Sequence, residues 1–427
     1  MTDPLRLGIA GLGTVGVGIV RIVQRQGDLL AARAGRDIVI TAVSARSRKD
    51  RGVDLSAYAW EDDPVALAAR DDVDVVIEVM GGHEGAAKAT TEAAIAHGKD
   101  VVSANKALLA IHGQALAEAA EAAGRVIRFE AAVAGGIPVV KSLIEGLAGN
   151  EITRVLGVMN GSCNYILTRM EDAGLTYAEV FEEANQLGYL EADPELDVGG
   201  IDAGHKLSLL AAIAFGCQVD FAGVALEGIG SVTIEDIRQA ADMGYRIKLL
   251  GVAQMTGRGL EQRMSPCLVP ATSPLAQLSG GTNMVVLEGN AVGQIVLRGA
   301  GAGEGPTASA VMADVIDLAR GTRYPTFGQP ATSLRRARAA TAAIPAPYYL
   351  RLQLLDKPGA LAKVATALGD AGVSIDRMRQ YDHSDTAAPV LIVTHKTTRA
   401  ALDEALSRFA ATGVVTADPV AIRIEAV

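Results

Sequence analysis

An α/β protein in three parts is predicted: a doubly wound parallel sheet, then an α+β segment, then a small βαββαβ unit. Three observations predict it. The first 131 residues alternate short, wholly apolar strands with helical stretches, the pattern of a parallel sheet covered on both faces. A glycine-rich turn, Gly11-Leu12-Gly13-Thr14-Val15-Gly16, joins the first strand to the first helix. After a stretch rich in Pro, Thr, Gly and Arg at 321–347, the order restarts as strand, helix, strand, strand, helix, strand. A chain of 427 residues, at about 150 per domain, accommodates two or three domains.

The elements follow in order. Residues 5–10 (LRLGIA) read as a buried strand and 17–24 as a helix. Strands are expected at 38–43 and 73–79, a helix at 90–97, a strand at 100–103, a helix at 113–123 and a strand at 126–131. The rhythm changes near Gly135-Gly136-Ile137-Pro138. Residues 139–147 look helical and 151–159 look like a strand, followed to about 300 by Ala-rich helices and several short strand candidates. The stretch 298–320 is a Gly-rich turn leading into a helix. The predicted units are 1–137, completed by the helix 305–320; 138–304; a linker at 321–347; and a separate small domain at 348–427.

Composition excludes several classes. A formal charge of −10 argues against a general binder of nucleic acid or anionic membrane, which needs a clustered positive field. The cysteines, Cys163, Cys217 and Cys267, fit neither an even disulfide framework nor a CxxC metal pair, so a reducing compartment is expected. The opening MTDPLRLGIAG, with Asp3, is not expected to be a signal peptide, and the apolar run at 207–215 is about half a bilayer crossing. A cytoplasmic protein is the expectation.

The glycine-rich turn sits where a dinucleotide-binding, Rossmann-type motif must sit, between strand and helix. Gly11 permits the tight turn, Gly13 lets backbone reach a pyrophosphate, and Gly16 lets helix pack on strand. The helix N-terminus supplies free N–H groups for the phosphates. An NAD site usually ends the second strand with an acid. This chain offers Ser44-Ala45-Arg46-Ser47-Arg48-Lys49, with no carboxylate before Asp50. Arg46 is a candidate for a 2′-phosphate, whereas Arg48 and Lys49 read as a solvated loop; NADP is favoured over NAD.

Two lysines and a run of acids carry the chemistry. Lys106 follows a predicted parallel strand, at the carboxyl end where ligands of open sheets gather. Asp202 and Lys206 stand four apart on a helix that is apolar nearly all round and therefore buried, so the pair is expected inside a cleft. An ordinary surface ion pair, worth ~0.3–0.5 kcal/mol, is the bland alternative. His205 reads as a neighbour. Upstream, Gly188-Tyr189 leads into Glu191, Asp193, Glu195 and Asp197, carboxylates that suit a substrate carrying an ammonium group and a hydroxyl.

The strings GLGTVG (11–16), SANKALLA (103–110), EAAVAGGIPVV (130–140), MNGSCNYIL (159–167) and GYLEADPELDVGGIDAGHKL (188–207) together resemble the homoserine dehydrogenases. The tail, with Leu355-Asp356-Lys357-Pro358-Gly359-Ala360-Leu361, resembles an ACT domain, an amino-acid-sensing module of ferredoxin-like order. The resemblance implies NAD(P)-dependent interconversion of L-homoserine and L-aspartate 4-semialdehyde in the threonine, methionine and isoleucine pathway. It implies Lys206 as proton donor and acceptor and Lys106 as the second active-site lysine. It implies Glu191 in substrate binding, with Gly188, Tyr189, Asp197 and Asp202 lining the site. Cofactor contacts are implied for Thr14, Val15, Arg46, Ser103 and Gly303, with Glu304 beside the last. Glu130 and the carbonyls of Val133, Gly135 and Ile137 are implied as a monovalent-cation site, suited to Na⁺. It further implies a homodimer or homotetramer whose sheet comes from the substrate domain, and threonine as effector at the tail. Ser162-Cys163 replaces the family's usual two threonines. Two rival readings stay open: a thiol-dependent semialdehyde dehydrogenase using Cys163, and a nucleotide-binding amino-acid sensor without turnover.

Overall fold

The computed structural model describes residues 3–190, 193–380 and 387–426. Six parallel strands build the first sheet: β1 (Leu5–Ala10), β2 (Ile38–Ser44), β3 (Ala59–Glu61), β4 (Val75–Glu78), β5 (Asp100–Ser103) and β6 (Ile127–Arg128). Their order is β3-β2-β1-β4-β5-β6, so the winding reverses between β1 and β4 and leaves a crevice at their carboxyl ends. Leu7, Ile9, Val75, Val76 and Ile77 are buried, as strands covered on both faces must be.

Boundaries differ from expectation where capping decides them. The first helix runs Thr14–Ala34 rather than 17–24, and it ends at Gly35 in the left-handed conformation. The helix expected at 113–123 already begins at Lys106 and runs to Ala122, because the Asn105 side chain accepts the N–H of Leu108. Lys106 therefore opens a helix instead of sitting in a loop. The strand expected at 126–131 is only Ile127–Arg128; Glu130–Ala134 turns helical. Residues 139–147 split into one α-turn, Val139–Lys141, and a π-turn, Ser142–Gly146.

The second sheet contains β7 (Ile152–Val158), β8 (Ala225–Leu226), β9 (Tyr245–Thr256), β10 (Gly259–Pro270), β11 (Thr282–Gly289) and β12 (Gly293–Ala300). Short strands were expected here, yet β9 and β10 are twelve residues each and pair along their whole length. Helix Ile201–Phe215 packs on this sheet with Leu207, Leu209 and Leu210 fully buried. The opposite face has its own core of Leu156, Val158, Leu250, Val252, Cys267 and Val286.

The tail has the expected order: β13 (Tyr348–Leu355), helix Ala360–Asp370, β14 (Ile375–Gln380), β15 (Ala387–Thr394), helix Arg399–Thr412 and β16 (Val420–Ile424). It is not a separate sheet. β16 pairs in parallel with β10 through Cys267↔Arg423 and Leu268↔Ile424, giving one continuous path, β12-β11-β7-β9-β10-β16-β13-β15-β14. Tyr349, Leu391, Val393, Ile422 and Ile424 belong to the core of the middle domain. The linker expected at 321–347 is a packed strap: Phe327 is buried edge-on against Phe129, Arg323 grips Asp100, and Leu260 exchanges backbone bonds with Arg338 and Ala340.

Candidate active site

At the crevice between β1 and β4 lies a cavity of about 520 Å³ lined by Gly11, Leu12, Gly13, Arg46, Met80 and Gly81, among others. The glycines divide the labour as their spacing predicts. A Cβ on Gly16 would come 1.9 Å from the Gly11 carbonyl oxygen, whereas one on Gly13 would meet nothing within 4 Å. Gly16 is required for packing, and the Gly13 backbone is open to a ligand. Thr14 and Val15 form the first helical turn beside it. Arg46 is exposed on the cavity wall, while Arg48 pairs with Asp62 at 3.5 Å and lies 5.2 Å from the Trp60 ring centroid. Arg51, which sequence reasoning passed over, donates to the Leu12 and Ser47 carbonyls at 2.9 and 2.5 Å and ties the glycine turn to the basic loop.

Ser103 lies behind this wall. It donates to Glu78 Oε2 at 2.7 Å, and Glu78 Oε1 accepts the Met80 N–H at 2.9 Å. Burial raises the Glu78 carboxyl to about 7, against the opposing bonds from Ser103, Met80 and Asn105. Glu78 was missed because, in an apolar strand, it reads as a strand end. Gly303 and Glu304 open the helix Glu304–Ala319, which packs on the nucleotide helix at Gly18, and Glu304 pairs with Arg21 at 2.5 Å.

A second cavity, about 360 Å³, is lined by Lys106, Asn160, Gly188, Tyr189, Asp197, Asp202 and Lys206. Two elements bring the charges together. Asp202 and Lys206 come from consecutive turns of helix Ile201–Phe215, and Lys106 comes from the start of helix Lys106–Ala122 across the domain boundary. Asp202 binds Lys206 Nζ at 2.7 Å through Oδ2 and Lys106 Nζ at 2.9 Å through Oδ1. Burial opposes ionisation of Asp202, but the two lysines hold its carboxyl well below the usual carboxylate range. Lys206 is only 8% exposed and also donates to the Met159 carbonyl at 3.1 Å. Of its three N–H donors, two are used among the described residues.

Asn160 links the acids. Its Nδ2 donates to Asp197 at 2.9 Å while its Oδ1 caps helix Gly161–Ala173 by accepting the Cys163 N–H. Tyr189 stacks on Tyr165, centroids 4.2 Å apart. Glu191 lies outside the described residues. Asp193 and Glu195 are exposed. His205 rests against Phe221, and burial lowers it to about 4, so it stays neutral near pH 7. The Cys163 thiol is fully buried, donates to the Asp197 carbonyl, and is pushed well above its ordinary pKa by burial and the nearby aspartates. A reactive thiolate needs the reverse.

Glu130 is 2% exposed and accepts the N–H groups of Val140 and Lys141. Burial first, then Asp314, raises its carboxyl to about 7. A cation beside it would offset that cost, and a carboxylate with backbone carbonyls is the donor chemistry of a hard ion. Gly135, in the left-handed region, lets this turn pass where a Cβ would sit 2.5 Å from the Gly301 carbonyl oxygen. The buried Glu130 carboxylate is of a kind that suits such an ion, and of the three carbonyls that of Ile137 already accepts the Val139 N–H at 2.8 Å.

Three family models match: homoserine dehydrogenase NAD-binding domain over 11–130, homoserine dehydrogenase over 138–316, and ACT domain over 348–413. Homoserine dehydrogenases of Neisseria gonorrhoeae and Pseudomonas aeruginosa are each 41% identical, over 99% of this chain and 99% of theirs. The crystal structure of a homoserine dehydrogenase from Thiobacillus denitrificans superposes with a TM-score of 0.94 at 39% identity, covering 99% of both chains. A hyperthermophilic archaeal homoserine dehydrogenase mutant in complex with NADPH covers 74% of this chain and 97% of its own, with a TM-score of 0.63 at 26% identity. A nucleotide crevice, an enclosed lysine–carboxylate–lysine bridge and full-length likeness lead to one conclusion: the chain belongs to the homoserine dehydrogenase family of NAD(P)-dependent oxidoreductases and carries a C-terminal ACT domain.

Proposed function

We propose that the chain interconverts L-homoserine and L-aspartate 4-semialdehyde, with Lys206 as the proton-transferring group. The observation that carries this reading is the Asp202 carboxylate bridging Lys106 and Lys206 on the wall of a cavity of about 360 Å³. The nicotinamide, when bound, supplies the hydride acceptor or donor. In the oxidative direction, the neutral amine form of Lys206 takes the hydroxyl proton and becomes the ammonium, while Lys106 holds the oxygen by charge. In the reductive direction, the Lys206 ammonium polarises the aldehyde oxygen and returns the proton. Asp202 keeps both nitrogens aimed and balances their charge. Asp197 and Glu191 supply the negative charge that an ammonium-bearing substrate requires. The raised pKa and buried position of Cys163 disfavour the thiol reading, and the bridge disfavours a sensor without turnover.

NADP is the favoured cofactor, supported by Arg46 on the cavity wall and the absence of an acid at the end of β2. Na⁺ at Glu130, a homodimer or homotetramer joined through the middle sheet, a cytoplasmic setting and threonine inhibition through the tail belong to the same reading. The free, buried cysteines support a reducing compartment, and among the described residues no helix is long and apolar enough to cross a membrane. The test is direct: purified protein with L-homoserine and NADP⁺ should produce NADPH absorbance, and Arg46→Ala should raise KM for NADP⁺ about tenfold while leaving that for NAD⁺ unchanged. Flat traces with both nucleotides would overturn the assignment.

A further inference from the structure

A single buried acid stands behind both the nucleotide cavity and the lysine cavity. Glu78 ends β4 at the crevice, in register with Ala10 of β1 on one side and Ser103 of β5 on the other. Its side chain is fully buried, and three donors converge on it: the Ser103 hydroxyl at 2.7 Å, the Met80 N–H at 2.9 Å and the Asn105 side-chain amide. A carboxylate only accepts, through two oxygens, so it can gather N–H and O–H groups from separate segments.

Each donor leads to a wall. Met80 and Gly81 line the nucleotide cavity. The same segment backs the glycine-rich turn, because a Cβ on Gly11 would come 2.8 Å from the Val79 carbonyl oxygen. On the other side, Ser103 Oγ accepts the Asn105 N–H at 3.0 Å. Asn105 caps the helix that Lys106 opens, and its Nδ2 donates to the Gly82 carbonyl at 2.7 Å. Lys106 then reaches Asp202 at 2.9 Å on the wall of the lysine cavity.

Packing alone does not call for an acid here. The other residues of β4, Val75, Val76 and Ile77, are apolar and buried, and a carboxyl among them costs stability that an apolar side chain would not. Glu78 sits at the one level of the strand where the chain leaves the sheet toward two different walls.

We propose that Glu78 is a positioning residue for the reaction: it fixes segment 80–82 as nucleotide wall and, through Ser103 and Asn105, the start of the helix that aims Lys106. One side chain thereby sets the two walls relative to each other. This rests on the reading that Lys106 holds the substrate oxygen, and it extends that reading to a residue that lines neither cavity.

Substitution in the full chain tests it. Glu78→Leu, of similar size, removes every acceptor; it should weaken NADPH binding, read by fluorescence titration, about tenfold and lower kcat at saturating nucleotide about tenfold. Glu78→Gln still accepts the Met80 N–H and can donate to Ser103 Oγ, so both constants should stay within about threefold of the parent. Lost stability in urea with both constants unchanged makes Glu78 a mere brace and overturns the proposal, as does a change in only one of them. If the Leu variant does not fold, Glu78→Asp, one methylene shorter, should move both constants in the same directions by about threefold or more. Unchanged constants there overturn it equally. A parent that binds NADPH without oxidising L-homoserine overturns the reading beneath, whereas a parent with turnover and an indifferent Glu78→Leu overturns this proposal alone.

Discussion

Two buried carboxylates in this molecule are each held by several cations, and they do different work. Asp202 bridges two lysines and faces a cavity of about 360 Å³. Glu425 is gripped by Arg154, Arg263 and Arg423 inside the seam between tail and middle domain. In both, burial opposes ionisation and the cations prevail. The difference lies in the cations. A lysine can give up and recover a proton when its surroundings ask for it, whereas an arginine stays charged and offers a rigid fork of donors. The lysine cluster is suited to chemistry and the arginine cluster to holding two sheets together.

Exchanging these properties should produce opposite failures. Lys206→Arg keeps the charge and removes the proton shuttle, so kcat should fall by about 10²–10⁴-fold while nucleotide affinity, read by fluorescence titration, stays put. A drop of less than tenfold would mean that Lys206 only positions the substrate. Glu425→Ala leaves three buried guanidinium groups without their acid. Unfolding in urea should show a loss of about 3–5 kcal/mol, with kcat of the folded protein retained.

A third carboxyl sharpens the contrast, because Glu78 has no paired cation among the described residues. Its folded pKa, about 7, exceeds the ordinary 4.5, so the folded state favours the protonated form. The stability it contributes is complete below about 4.5 and is lost as pH rises through about 7. Denaturation from pH 5 to 8 should therefore show a decline that Glu78→Gln reduces by about 3 kcal/mol. Equal slopes would show that Glu78 does not titrate there. The smallest effect belongs to Cys163→Ser, for which kcat should change by less than about twofold because a buried neutral thiol has no nucleophilic role. Near-complete loss would revive the thiol mechanism.

Much of this was legible in the residues. Period and punctuation located the parallel strands and the tail order, and the i,i+4 spacing on an apolar helix correctly implied an enclosed Asp202–Lys206 pair. What spacing could not convey was the third partner. Lys106 reaches Asp202 only because Asn105 starts its helix seven residues earlier than the apolar pattern does, and a cap depends on side-chain geometry rather than periodicity. Glu78 and Arg51 were invisible for a related reason: each makes a bond to a residue far off in sequence, Glu78 to Ser103 and Arg51 to Leu12. The strap was misread because its Pro, Gly and Thr content is that of a connector, while its burial rests on single anchors such as Phe327.

The parallel pairing of β10 with β16 has a practical consequence for anyone tempted to study the enzyme without its tail. Cutting the chain before Tyr348 would strip β10 of a hydrogen-bonded neighbour and uncover apolar surface that Tyr349, Ile422 and Ile424 now shield. A bare strand border of that kind invites clumping with other copies. Insensitivity of such a fragment to any metabolite would then report damage as readily as lost sensing.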